Sequence, residues 1–399
     1  MTNRFSRKPH TKRYFDFSLL VIVLFLIAFG LVMIYSTSSY SANLEFGNGY
    51  FYLRRQLIST IVGIGVMFFT TFFPIDVYKK GWIPLIIYAF GLFSVCLILT
   101  PLGYTANGAS RWIRIMGQSI QPAEIVKVCT ILFTAALLTK MTPAEIRSWK
   151  SVIYIMLTAG VSAGLIYFIT NNLSSAIIVC GIAYVMLIAI CRRSLKPYIV
   201  LAAIIAIAAL VVLVVVSGGG ANLGFRGARI LAWINPEDYA DGKGFQTLQA
   251  LYGIGSGGFT GKGIGKSMQK LGFLPEAQND MIFSIICEEL GFFGGIAVLG
   301  AYLLLLWRIR DAASYCRDVF SNLIVTGVFA HLAIQVVLNV AVVTNTIPNT
   351  GISLPFISYG GSSVIFLLAE IGFVLNVSRN SVFVDEVEED EEYKASRGE

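Results

Sequence analysis

The chain has 399 residues, 56% of them hydrophobic and only 13% charged, with a formal net charge of +7. Its mean hydropathy of +0.73 lies outside the range of soluble globular domains, which excludes a water-soluble enzyme and leaves a polytopic membrane protein.

Residues 1–16 are a basic N-terminus carrying Arg4, Arg7, Lys8, Lys12 and Arg13. The apolar run that follows is long, and no A-x-A cleavage site succeeds Tyr35, so it reads as a span rather than a signal peptide. Ten such runs, each of about twenty residues, centre on Phe25, Gly65, Phe90, Phe133, Gly160, Tyr184, Ile205, Gly295, Phe329 and Leu368. The predicted fold is therefore all-α, with about ten transmembrane helices over residues 17–379. Lys79, Lys80, Lys140, Arg147, Lys150, Arg192, Arg193, Lys196, Arg308, Arg310 and Arg317 fall in alternate short connections on the same side as the N-terminus. By the positive-inside rule that side is cytoplasmic, both termini are inside, and the long loop 217–279 between helices 7 and 8 faces outward. Residues 380–399 form an acidic tail whose run DEVEEDEEY, Asp385 to Tyr393, cannot bury a core and reads as disordered.

The six cysteines form no C-x-x-C pair and read as small packing residues. His331 lies inside a span and is expected to be a hydrogen-bonded bundle residue. A histidine metal site has no support from two histidines, His10 and His331.

The long loop ends in GGFTGKGIGKSMQKLGFLPEAQND, Gly257 to Asp280, which contains the GKS of a phosphate-binding loop. The spacing fails, because G-x-x-x-x-G-K-[ST] needs glycine where Thr260 stands, and no βαβ unit surrounds the G-x-G-x-x-G that begins at Gly253. No nucleotide is expected. The glycines read instead as making the loop mobile.

Charges at the ends of spans need a partner or a task. In NGASRWIRIMGQSIQPAEIVK, Pro122 suits the first turn of a helix, and Glu124 and Lys127 follow at i, i+3 on one face, able to pair. Arg111 beside Trp112 can offer a planar fork to a phosphate. In LPEAQNDMIFSIICEELG, Glu276 and Asp280 are four apart and would share a face in a helical turn. Asp280 reads equally as a general base for a hydroxyl or as an acid stabilised by a helix N-terminus. Glu288 and Glu289 lie about two turns deeper, where at least one must face protein or water. NTIPNTGISLPFISYGGSSVIF, Asn345 to Phe366, reads as a broken or re-entrant segment, tolerated only where it lines protein or a cavity. Such a cavity suits a lipid-linked, anionic, hydroxyl-bearing substrate, and these residues alone do not separate transport from chemistry.

NGASRWI with QPAEIVK, LPEAQND followed by EELG, and LPFISYGGSS, in this order, resemble the SEDS family (shape, elongation, division and sporulation) of bacterial wall-building proteins over nearly the whole chain. NGASRW and Ser353 ahead of Leu354 and Pro355 are more similar to the division and sporulation branches than to the elongation branch. The resemblance implies a peptidoglycan glycosyltransferase that polymerises lipid II into β1,4 glycan and releases undecaprenyl diphosphate. It implies Asp280 as general base or metal-assisted activator of the acceptor hydroxyl. Arg111, Lys127, Lys262 and Lys266 would meet the diphosphate, Glu124 would hold Lys127, and Glu276 would lie in the substrate site. Ser358, Ser362 and Ser363 would shape the cavity. A divalent cation, Mg or Mn, could bridge the diphosphate and Asp280. The implied partners are lipid II, a class B penicillin-binding protein that crosslinks the glycan, and other divisome proteins; no nucleic acid is expected. The implied location is the bacterial cell membrane at the septum, with the active site outside. A lipid II flippase and a non-catalytic scaffold are the alternative readings. The chain has Gln278 and Asn279 where the family often has His-Thr, so the base has no histidine to assist it. It also has Asn171, Asn172, Leu173, Ser174 and Ser175 where Pro-Asp-Leu-Gly-Thr is common, so that corner lacks its acid.

Overall fold

A computed structural model of the chain describes residues 12–13, 15–106, 109–115, 118–191, 194–216, 224–242, 244–314, 316, 318–380 and 382–383. The acidic run Asp385 to Tyr393 and the basic residues before Lys12 lie outside the described residues. Among those described, nine helices are long and apolar enough to cross a membrane, and a shorter apolar helix over Ile83–Leu99 occupies the third predicted position. Each of the ten predicted centres falls within one of them.

The helices are α1 (Phe17–Phe46), α2 (Phe51–Phe72), α3 (Ile83–Cys96), α4 (Pro122–Lys140), the short α5 (Pro143–Ile146), α6 (Trp149–Thr170), α7 (Leu173–Ile190) and α8 (Lys196–Val216). After them come α9 (Gly224–Ile234), α10 (Phe245–Gly257), α11 (Ile282–Ser314), α12 (Val319–Val343) and α13 (Gly361–Asn380). Their ends are set by local chemistry. Asp16 caps α1, accepting from the Leu19 N–H at 2.9 Å, and its carboxylate also pairs with Arg308 at 2.9 Å. Pro122 opens α4, where its missing N–H costs nothing. Asn171 ends α6 in the left-handed conformation (φ 51), and Asn172 then caps α7 through the Ser175 N–H. The two asparagines thus reverse the chain between adjacent helices, which is what this corner does in place of carrying an acid.

Two features were not foreseen. Between α3 and α4 the chain forms a three-stranded antiparallel sheet of β2 (Gly103–Ala106), β3 (Ala109–Ile115) and β4 (Gln118–Ile120). Arg114 on β3 lies 4.3 Å from the centre of the Tyr104 ring across the sheet. A second, two-residue pairing joins β1 (Lys12–Arg13) to β5 (Val382–Phe383), so the first and last described segments meet.

Within the bundle, α2 packs along α13. Thr70 Oγ1 donates to the Ala369 carbonyl at 3.1 Å, and the Asn376 amide donates to the carbonyls of Thr70 and Phe73 at 2.9 and 2.6 Å. Polar side chains bridging helices in this way hold a membrane bundle together where hydrophobic burial no longer distinguishes protein from lipid. His331 on α12 is hydrogen-bonded as expected, its Nδ1 lying 2.8 Å from Glu370 Oε2 on α13. At the rim, α8 buries almost none of its apolar side chains, as suits a helix surrounded by lipid tails.

The glycine-rich loop is not mobile decoration. Helix α11 breaks at Gly291 (φ 71, ψ −168), and the loop after α10 fills the break. Lys262 N–H and Gly263 N–H donate to the carbonyls of Glu288 and Glu289 at 3.0 and 2.9 Å, while Phe292 N–H and Phe293 N–H donate to Gly258 and Phe259 at 2.9 and 3.3 Å. Four bonds to the loop thereby replace bonds that an unbroken helix would make with itself. A Cβ on Gly261 would stand 2.3 Å from the Glu289 carbonyl oxygen, and one on Gly291 would stand 2.4 Å from the Gly261 nitrogen. Only glycine permits that approach. The carboxylates complete the clamp. Glu288 pairs with Lys262 at 2.7 Å and accepts from Ser267 Oγ and the Met268 N–H, and Glu289 pairs with Lys270 at 2.8 Å and accepts from Ser36 Oγ at 2.8 Å. The serine of the GKS sequence is thus engaged by a buried carboxylate.

Candidate active site

Asp280 lies just before the first turn of α11, where the helix N-terminus favours negative charge. Leu274 to Met281 form successive turns rather than a helix, and Glu276 has φ 55. The expected shared helical face of Glu276 and Asp280 is therefore corrected. The Glu276 carboxylate turns back to accept from the Asn279 amide.

The Asp280 backbone is fixed by a residue deep in the bundle. Asn339 on α12 is fully buried, and its Nδ2 donates both to the Asp280 carbonyl at 2.8 Å and to the Ile352 carbonyl at 2.7 Å. One amide thus ties the turn before α11 to the irregular segment before α13. That segment is itself held by Gln335 donating to Ser353 at 3.0 Å, by Tyr302 donating to the Pro355 carbonyl, and by Tyr359 N–H donating to Gln278 at 2.9 Å. Irregular backbone at this depth is satisfied group by group, as such a segment must be.

The Asp280 side chain faces a polar relay. Gln246 Nε2 on α10 reaches Asp280 Oδ1 at 3.4 Å, and Asn349 donates to Gln246 Oε1 at 2.8 Å. Gly351 passes beside the carboxylate, so that a Cβ there would lie 3.7 Å from Oδ2. Burial pushes the Asp280 carboxyl up to about 7, with the Glu276 charge adding to it and Arg229 and Gln246 opposing. Such a group is basic enough to take a proton from a hydroxyl near neutral pH. Beside it, Arg229, Trp233, Phe245, Gln246, Pro275 and Asn349 line a cavity of about 240 Å³.

Two arginines stand near this cavity from different elements. Arg111 on β3 donates to the Asn171 carbonyl at 3.4 Å, and Arg229 on α9 donates to the Asn349 carbonyl at 3.4 Å. Partial burial lowers the pKa of both; the charge of Arg229 lowers that of Arg111 further, while the charge of Asp280 opposes the drop at Arg229. Helix α9 is pinned over the cavity by a reciprocal pair, Trp233 Nε1 to the Asn345 carbonyl at 3.0 Å and Asn345 Nδ2 to the Trp233 carbonyl at 3.2 Å.

The other candidates form separate groups. Glu124 and Lys127 are buried and paired at 2.7 Å on the first turns of α4. Ser363 donates to Glu124 at 3.4 Å, and Ser362 accepts the Gln121 N–H at 3.2 Å, so both serines join α13 to α4. Ser358 is buried and accepts the Leu354 N–H at 2.7 Å, closing its own loop. The Lys262 ammonium is held by Glu288, and Lys266 is exposed on the same loop. Sequence reading missed Gln246, Asn339, Asn349 and Arg229. The available signal was the pair Gln335 and Asn339, uncharged polar residues one turn apart in an otherwise apolar span.

Residues 17–382 match the FTSW_RODA_SPOVE family, described as "Cell cycle protein". The chain belongs to this family. Among its relatives is Stage V sporulation protein E of Bacillus subtilis (strain 168), 36% identical over 92% of this chain and 97% of that one. Another is the Probable peptidoglycan glycosyltransferase FtsW of Trichlorobacter lovleyi, 35% identical over 93% of this chain and 95% of that one. Among solved structures, a chain from "Structural coordination of polymerization and crosslinking by a peptidoglycan synthase complex" aligns with a TM-score of 0.73 at 27% identity, covering 92% of this chain and 98% of its own. The Rod shape determining protein RodA of Thermus thermophilus aligns with a TM-score of 0.66 at 26% identity, covering 92% and 97%. Family membership thus extends over all ten apolar helices and the site between them.

Proposed function

We propose that this chain is a peptidoglycan glycosyltransferase that polymerises lipid II for septal wall synthesis. The observation that carries the reading is Asp280, its backbone carbonyl held by Asn339 and its carboxylate reached by Gln246 beside a loop-lined cavity, and basic enough to accept a proton near pH 7. Asp280 takes the proton of the acceptor GlcNAc 4-hydroxyl as that oxygen bonds to the anomeric carbon of the donor MurNAc. The bond from that carbon to the diphosphate breaks, and its electron pair leaves on undecaprenyl diphosphate. Glu276 raises the basicity of Asp280, and Glu124 with Lys127 holds the start of α4 at the site's edge.

The distribution of lysine and arginine turns this end of the bundle outward. The likeness to a chain of a peptidoglycan synthase complex supports a class B penicillin-binding protein as partner, and the FtsW relatives support a place among divisome proteins. The donor set does not fit a resident divalent cation. Asp280 and Glu276 supply two carboxylates, and no group of three metal-ligating side chains forms among the described residues. No step is therefore routed through a metal.

The test is glycan synthesis from purified lipid II by the chain co-purified with its class B partner, the partner's transpeptidase being blocked. Long glycan products are expected; lipid II movement across vesicles without polymer would overturn the reading in favour of a flippase. A positioning role for Asn339 makes a further prediction. Asn339→Ala should lower kcat by about 10²-fold, because a shift of about 1 Å in a reacting group costs that much, while KM for lipid II stays within a few-fold. A parallel loss of folded protein and activity, with kcat per folded molecule intact, would assign Asn339 to stability alone.

A further inference from the structure

Helix α11 records how much of its own length can meet a bilayer. Phe292, Ile296, Gly300, Leu303 and Trp307 are exposed at the three- and four-residue spacing of a single helix face, and the basic residues Arg308 and Arg310 follow directly. At about 1.5 Å per residue that face is about 22 Å tall, about 8 Å short of a hydrocarbon core of about 30 Å. The helix does not supply the rest. Every residue from Ile282 to Glu289 is buried, so the apolar face ends where the helix breaks at Gly291.

The glycine-rich loop stands at that height. Phe259 is 70% exposed, and its ring centre lies 6.0 Å from that of Phe292 and 6.2 Å from that of Phe293, so the aromatic surface passes from helix to loop without interruption. Ile264, Met268, Leu271 and Phe273 are exposed further along the same loop, an unusual run of apolar side chains for a connection bathed in water. The polar groups at this level are met by protein instead. Lys262 N–H and Gly263 N–H reach carbonyls of α11, and the Lys262 ammonium reaches Glu288. Irregular backbone and charge enter hydrocarbon only on such terms.

We propose that residues 258–273 form a re-entrant element immersed in the leaflet on the Asp280 side, with their exposed apolar side chains packed against lipid acyl chains. Lys266, exposed on the same loop, extends its charge toward the phosphate layer while its stem stays among the chains. The occupant is lipid because the loop face continues the exposed face of α11 and supplies the height that this helix lacks. The long loop expected to stand outside the membrane therefore returns into it. The proposal is independent of the transferase reading.

The test measures tryptophan fluorescence in phosphatidylglycerol vesicles, with the full chain alone and in complex with its class B partner. Phe259→Trp and Ile264→Trp report on the loop, and Tyr239→Trp on the exposed turn between α9 and α10. Each signal is read as the increment over wild type, in a variant whose melting temperature is unchanged, and the two loop positions are tested independently. Phosphatidylglycerol brominated on its acyl chains is expected to reduce both loop increments at least about twofold, with aqueous iodide leaving them intact, because the hydrocarbon core admits the first quencher and excludes the second. Tyr239→Trp should show the reverse. Quenching of the loop by iodide and not by brominated lipid would overturn the proposal and return the loop to water. Quenching by brominated lipid that disappears when the partner binds would overturn the acyl-chain assignment and give this face to a membrane helix of the partner.

Discussion

Replacing Asp280 with asparagine is expected to reduce glycan synthesis by about 10²–10⁴-fold, the usual contribution of a positioned general base. The substitution keeps the shape of the side chain and leaves the Asn339 bond to the Asp280 carbonyl untouched, so folding and lipid II binding should survive. The pH dependence follows from the environment. Burial and, secondarily, Glu276 raise the Asp280 carboxyl to about 7. The working form is the ionised one, so kcat/KM should rise with pH, falling tenfold for each unit below about 7 and levelling above it. Glu276→Gln removes a negative neighbour, lowers the pKa of Asp280 and should shift this limb to lower pH. A limb that stays in place in Glu276→Gln would remove the Glu276 contribution, and full activity in Asp280→Asn would remove Asp280 as the base.

The second large effect concerns Glu288. Glu288→Ala should destabilise the folded protein by about 3–5 kcal/mol, because unsatisfied buried donors cost about 1–3 kcal/mol each and several lose their acceptor together. The Ser267 hydroxyl and the Met268 N–H are the groups stranded, at a place sealed by the loop itself. Lys262→Ala should cost much less, about 1 kcal/mol, because Glu288 retains its other donors and the lysine is a third exposed. Thermal melting in detergent, followed by size-exclusion chromatography, measures both. Equal and small shifts for the two variants would mean that the loop is not clamped by this carboxylate.

Sequence alone made the spans legible because each is an apolar run bounded by charge, a signal that needs no knowledge of packing. The Glu124 and Lys127 spacing likewise displayed its pairing, since an i, i+3 separation on a helix fixes a neighbour. The sheet around Arg111 was not read from the sequence, because two of its three strands are only four and three residues long and carry too little alternation to stand out between two apolar spans. The glycine-rich loop misled for a related reason. Glycine signals either freedom or close approach, and only the position of Gly291, some thirty residues further on, distinguishes them. Asn339 and Gln246 were missed because their role depends on which loops the bundle brings together, a long-range fact that local pattern does not carry.

The seam between α2 and α13 has a consequence for how the molecule is made. Thr70 finds its acceptor in Ala369, and the Asn376 amide is what meets the carbonyls at the end of α2. Ser36 in the first span likewise waits for Glu289. During synthesis the ribosome delivers α1 and α2 before α11 and α13 exist, so until then Ser36 lacks its carboxylate and Thr70 has only the Val66 and Met67 carbonyls of its own helix to bond. Domains generally assemble as the chain emerges, but here the last of the described helices closes on one of the first. The seam between α2 and α13 therefore closes late, and a chain cut short before α13 would leave α2 without Ala369 and Asn376 to meet it.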